Sequence, residues 1–317
     1  MHASTSTPRA LIGAAYAACC LLWGSTWMVV KIGLEDLPPL RFAAMRMLLA
    51  FLMLSPFVLR RGLRGVTSRQ GAALVGLGTV QIGAVYALQF LAQQWIPSGL
   101  AAIMFATFAV WVQLGSRLAL PGYRLSGAAL GAVALGIGGV IVIQVPAVRG
   151  VHLGLHAGLG AGLVLLGAIL CAAVNVVVRL RFSTVPPLLM TWGNLIGGVL
   201  VLGALALAEA AGGGPAVEAA RFTPRAWAAL LHLSLFGTVV TYVTFYWLLP
   251  RISMAAVGTL PLLDTAVAVV LGTLVMREAL HWEVVAGGAL VLASVALANL
   301  GPSAEVPRVE VVAEHAG

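Results

Sequence analysis

Ten apolar stretches, each about as long as a bilayer is thick, take up most of this chain. A hydrocarbon core of roughly 30 Å needs about 20 apolar residues of helix to cross it. The stretches cover residues 10–32, 38–59, 71–94, 98–120, 125–145, 155–178, 185–208, 226–249, 253–276 and 280–301. They are continuous apolar runs, unlike the alternating segments of about ten residues that build a transmembrane barrel. Inside lipid no water satisfies a peptide group, so each run must bond within itself as a helix. The chain is 61% hydrophobic and 9% charged, against about 25% charged in a soluble domain. A soluble enzyme is excluded, and an all-α integral membrane protein is the expected fold class.

The formal charge of +8 comes from arginine, because Lys31 is the only lysine. The arginines sit at span ends, where the positive-inside rule accounts for them, so nucleic acid is not an expected partner; the lipid bilayer is. The run Arg60, Arg61, Arg64 and Arg69 sets the direction. Both termini are then cytoplasmic, and the expected location is a bacterial plasma (inner) membrane. Cys19, Cys20 and Cys171 fall inside spans without metal spacing and read as small buried residues. Tyr16-Ala17-Ala18-Cys19 faintly resembles a lipoprotein cleavage site, but the apolar run continues through Val30 and favours a true first helix.

Pro146 and Gly150 divide the spans into two blocks of five. The expected organisation is a cytoplasmic tail over 1–9, a first unit over 10–145, a linker over 146–154, a second unit over 155–301 and a cytoplasmic tail over 302–317. Spans four and nine both open on a serine followed by small residues, at Ser98 and Ser253. Five is an odd number, so a repeated five-span unit inserts with opposite orientations. Inverted repeats of this kind are a transporter architecture with the site near the midplane between the halves.

Short motifs mark both ends of such a unit. Trp23-Gly24-Ser25-Thr26-Trp27 with Lys31, Pro39 and Arg46 resembles the opening of an EamA-like unit, and Leu260-Pro261-Leu262 with Arg277-Glu278 and Gly287-Gly288 resembles its close. Over about 10–301 the chain is similar to the drug/metabolite transporter superfamily. The resemblance implies ten transmembrane helices in a 5+5 inverted repeat, around a central cavity lined mainly by spans 1, 3, 4, 6, 8 and 9. It also implies export of metabolites or amino acids. One feature departs from the pattern. Glu278 supplies the acid expected between the last two helices of the second unit, whereas Leu120-Pro121-Gly122-Tyr123-Arg124 in the first unit has none.

Asp264 is the only acid well inside a span, and no Asp or Glu occurs between Leu37 and Ala208. An intramembrane carboxyl marks a pathway for ions, protons or substrate, so Asp264 is the candidate for proton coupling; a bond to a neighbouring helix is the alternative. Pro261, one turn earlier, removes a backbone bond and is the hinge candidate. Tyr86, Gln89 and Gln93 share one face of span three and offer a polar stripe to a zwitterionic or hydroxylated ligand. Tyr242 and Tyr246 in span eight, with Trp27 and Trp111, are candidates for an aromatic cavity wall, although interfacial anchoring explains such rings equally. Asn175 is polar at midspan and joins the cavity candidates. His232 lies near the outer end of span eight, close to where the span starts, and reads as an interface residue. Arg46 and Glu278 are assigned structural roles. Gly154, Gly158 and Gly162, Gly127 and Gly131, and Gly193 and Gly197 form small-residue faces for helix packing.

No P-loop, metal cluster or catalytic signature is present in the sequence, so no cofactor and no enzymatic activity are expected. The expected function is secondary active transport by alternating access, exporting small metabolites such as amino acids or amphipathic compounds, with proton antiport or substrate exchange as the energy source. An integral-membrane lipid-modifying enzyme and a non-transporting accessory protein are the alternatives. A homodimer is compatible with the sequence, and nothing in it requires one.

Overall fold

Several helices in this chain start or stop at residues whose local chemistry suits a helix end. A computed structural model describes residues 8–300 except 64–65, 97–100, 102–103, 121, 124–125, 149–154, 214–219 and 277–281. Most of the linker and of both tails, together with Glu278, lies outside the described residues. The helices are α1 Arg9–Leu34, α2 Pro39–Arg61, α3 Ser68–Ala92, α4 Phe108–Ala119, α5 Gly127–Val148, α6 Leu155–Arg181, α7 Pro187–Gly212, α8 Pro224–Leu248, α9 Met254–Met276 and α10 Trp282–Leu300. No strand occurs among the described residues. Six of the helices (α1, α2, α3, α7 and α8, with α6 from Gly158) are long and apolar enough to cross a membrane; shorter apolar stretches lie in α5, α9 and α10.

Proline at the first helical position opens α2, α7 and α8, where its missing N–H costs nothing. Thr67 and Thr223 cap α3 and α8 by accepting from the N–H groups of Gln70 and Ala226. At Gly62 and Gly213 the backbone takes positive φ and ends α2 and α7. Span four departs from expectation. Its helix is interrupted: residues 104–106 are helical, the chain turns at Thr107, whose hydroxyl bonds back to the Met104 carbonyl at 2.6 Å, and the helix resumes as Phe108–Ala119.

Two helices carry a feature that a 3.6-residue period does not reveal. α3 contains a π-helical segment, Thr79–Ala84, and α8 contains another, Leu235–Val240. Each follows an α-helical segment of 11 residues and precedes one of 8. A π segment widens the turn and re-aims the side chains beyond it, often at functional sites.

The helices pack in recurring partnerships. The contacts α1–α9, α1–α8 and α2–α8 recur five helices later as α6–α4, α6–α3 and α7–α3. α2 and α7 run antiparallel. Glu209 near the end of α7 accepts from the Leu40 and Arg41 N–H groups at the start of α2, and Trp192 near the start of α7 donates to Ser55 near the end of α2. α5 and α10 are antiparallel as well, since a Cβ at Gly131, Gly136 or Gly139 would meet Leu297, Ser294 and Gly287 in turn.

Lipid tails are as apolar as leucine, so close packing must supply the attraction that water supplies elsewhere. Small residues make it available. A Cβ at Gly197 would overlap the Val75 carbonyl and stand 2.6 Å from the Thr79 nitrogen, so α7 lies directly on the backbone of α3. Gly193 packs on Leu74 in the same seam. Gly158 and Gly162 are different: nothing described stands within 4 Å of a Cβ at either, and the close approach on this part of α6 is made by Gly160, where a Cβ would lie 3.0 Å from Ile96 and 3.3 Å from the Ala92 carbonyl.

Candidate functional site

The middles of several helices face one internal cavity, with about 780 Å³ of space not filled by protein atoms, counted out to its mouth. α1 lines it with Trp23, Thr26, Trp27 and Val30, and α2 with Arg46. α3 adds Gln81, Val85, Tyr86, Gln89 and Phe90, followed by Gln93 at its end. Phe105, Phe108, Cys171, Asn175, Tyr242 and Phe245 continue the wall, and α9 closes it with Val257, Leu260, Pro261 and Asp264.

Asp264 is 5% exposed. The Thr265 hydroxyl stands 3.4 Å from its Oδ1, and the Trp27 side chain is its other hydrogen-bonding neighbour. Pro261 sits in the same wall. Its missing N–H leaves the Val257 carbonyl without a helical partner at the cavity surface. Gly24 lets α1 reach this part of α9, since a Cβ there would lie 2.7 Å from the Asp264 carbonyl and from Val267.

The opposite charge comes from Arg46, 2% exposed. Its Nε donates to Thr238 Oγ1 and its Nη2 to the Gly237 carbonyl, both at 3.1 Å, and both in the π segment of α8. The guanidinium lies over the Tyr86 ring, 4.9 Å from its centroid. Tyr242 donates to the Tyr86 hydroxyl at 3.2 Å, so the two helices with π segments meet inside the cavity. Among the described residues every hydrogen-bond partner of Arg46 is neutral.

Polar acceptors complete the site. Asn175 donates to the Cys171 carbonyl at 2.8 Å, and Gln81 donates to the Cys171 sulfur at 3.4 Å. Gln93 donates to the Gln89 carbonyl at 3.3 Å. The amide oxygens of Gln81, Gln93 and Asn175 are buried without hydrogen-bond partners among the described residues. An unmet acceptor is costly in a low-dielectric wall, and a ligand carrying N–H or O–H groups removes that cost.

The cavity thus brings together Trp27, Tyr86, Gln89, Gln93, Asn175, Tyr242, Pro261 and Asp264. It does not bring in Trp111, which packs against the core with its indole N–H unbonded among the described residues. Tyr246 also points elsewhere: its hydroxyl accepts from Asn194 at 3.0 Å and its ring lines a smaller pocket beside Arg179. His232 reaches the Ser25 hydroxyl at 3.2 Å, away from the cavity, because the π segment between it and Tyr242 changes their relative phase. Arg46, assigned a structural role by sequence, both braces α8 and lines the cavity. Gln81 escaped the sequence reading, although its place among the apolar residues of span three was a signal. Cys171, Phe105 and Phe108 gave none.

Comparison with known proteins adds the family. The profile of the EamA-like transporter family matches residues 11–145 and again 158–300. The inner membrane transporter YedA of Escherichia coli (strain K12), whose name carries the word uncharacterized, is 30% identical over 92% of this chain and 91% of its own length. A protein of the same strain named "Probable amino-acid metabolite efflux pump" is 27% identical over 86% of this chain and 89% of its own. A solved crystal structure, 19% identical, covers 92% of this chain and 98% of its own with a TM-score of 0.73, and so shares the fold.

Proposed function

This chain belongs to the EamA-like transporter family, and from that premise we propose that it is a secondary active transporter that exports small metabolites such as amino acids by alternating access. The observation that carries the reading is the buried cavity, which puts one carboxyl, Asp264, and the proline of α9 into the same wall. A carrier needs a site near mid-depth, a group that can exchange a proton, and helices that can change their packing. Asp264 is the proton-coupling group and Pro261 the hinge.

The architecture proposed is a 5+5 inverted repeat, with units over 10–145 and 155–301. The antiparallel course of α2 against α7 and of α5 against α10 supports it. So does the matched sequence of α, π and α segments in α3 and α8. The names of the relatives support an inner-membrane location and export of amino-acid metabolites. Cytoplasmic termini follow from the arginine run Arg60 to Arg69.

The test is counterflow in proteoliposomes against a panel of amino acids, nucleosides and amphipathic cations, with and without a pH gradient. Accumulation of a panel member that responds to the gradient is expected for proton antiport; accumulation indifferent to it identifies exchange. A purified, folded protein that moves no panel member overturns the reading.

A further inference from the structure

We propose that Arg46 seats the carboxylate of the transported molecule, so that the substrate is a zwitterion and not a cation. The inference rests on the transport reading above and narrows its substrate class. It starts from an imbalance. A guanidinium has five N–H groups, and the two bonds to Thr238 and Gly237 use two of them. The remainder face Tyr86, which is a further hydrogen-bonding neighbour, and the cavity that Arg46 lines. A buried cation surrounded by neutral groups is costly. A brace between α2 and α8 could be made by a neutral side chain, so bracing alone does not account for a permanent charge.

The fork of a guanidinium matches a carboxylate, which it holds through two parallel charge-assisted bonds. The Thr238 and Gly237 bonds fix its plane, and the Tyr86 ring supports one side. A rigid, pre-aimed fork loses little freedom when it binds. The other pole of the ligand is equally specified. The unpartnered amide oxygens of Gln81 and Asn175 lie in the same wall and accept from an ammonium group. Asp264 is the one carboxyl among the described lining residues. One cationic seat together with a set of acceptors complements a molecule that carries both charges. An amphipathic cation would meet Arg46 as a like charge in a low-dielectric space.

The experiment compares amino acids with their own decarboxylated amines. Each of the twenty amino acids is tested in counterflow on wild-type protein, and the matched amines, together with tetraphenylphosphonium, compete against any that is moved. The expected result is competition by amino acids at least roughly 10- to 100-fold stronger than by the matched amines, the size of a lost charged hydrogen-bond pair. Arg46→Gln is expected to erase that ratio, and Arg46→Lys to keep part of it. A purely structural Arg46 would instead lower amino acids and amines in equal proportion, which overturns the assignment. Amines or tetraphenylphosphonium that compete as well as amino acids on wild-type protein also overturn it, without any variant having to fold. Should wild-type protein move no amino acid, nucleoside or cation at all, the transport reading itself fails, a result distinct from the loss of selectivity.

Discussion

Replacing Gly24 by alanine tests whether the cavity depends on the close approach of α1 to α9. The added Cβ would lie 2.7 Å from the Asp264 carbonyl and equally close to Val267, where ordinary contact begins at 3.4 Å. The two helices must therefore part by about 0.7 Å beside the proposed coupling carboxyl. One obstacle is backbone, which cannot rotate aside, so the strain falls in the range of about 1–3 kcal/mol found for overpacked cores. Alanine also favours a helix over glycine by about 1 kcal/mol, and a control removes that gain. Gly13 lies on the same helix with nothing within 4 Å of a Cβ, so Gly13→Ala takes the propensity gain without the strain. The difference between the two variants in equilibrium unfolding in mixed micelles should be about 1–3 kcal/mol, with Gly24→Ala the less stable. Variants that unfold within about 0.5 kcal/mol of each other, a difference ordinary for surface changes, would refute the packing argument.

Three further outcomes are expected. Asp264→Asn should fold as wild type and transport without pH dependence; an unchanged pH profile in proteoliposomes would remove Asp264 from coupling. Thr238→Val leaves the Nε of Arg46 without its acceptor and should cost about 1–3 kcal/mol in unfolding measurements, the usual penalty for a buried donor left unpaired. At the helix ends, Asp36 accepts from Thr223 at 2.6 Å and from Arg225 at 3.1 and 3.2 Å. Those bonds, the one from Arg225 first, hold its carboxyl below the usual value of 3.8. A depressed carboxyl contributes stability that is present above the unfolded value and lost as pH falls through the folded one. Melting temperatures of wild type and Asp36→Asn should therefore differ at neutral pH and converge only below pH 3.8; convergence at neutral pH would count against the latch.

Some of the site was legible residue by residue. Asp264 stood out because an ionisable group at span centre is rare. Tyr86, Gln89 and Gln93 could be placed together because they lie beyond the π segment of α3, in regular helix where phase counting holds. The same counting does not carry across Leu235–Val240, so the phase of His232 relative to Tyr242 is set by the π segment. Trp111 and Tyr246 carried the same aromatic signal as Trp27 and Tyr242, yet only the latter two face the cavity. Arg46 was readable as a costly charge in span two, but not as a cavity residue. Its direction depends on where Gly237 and Thr238 offer acceptors, 191 and 192 residues further on.

The sequence by itself determined that this protein is a stack of membrane helices, because unbroken apolar runs leave the backbone no other way to satisfy its hydrogen bonds in lipid. The starts of those helices are local as well, set by the caps Thr67 and Thr223 and by the prolines at the first turns. Only the tertiary structure decided which polar side chains share a cavity. In a soluble protein the contrast between apolar and polar faces turns each helix towards its core. Here lipid and protein interior are equally apolar, so the rotation of each helix is set by close contacts such as Gly24 on Asp264 and Gly197 on Val75. Those contacts are long-range, and hydropathy does not record them.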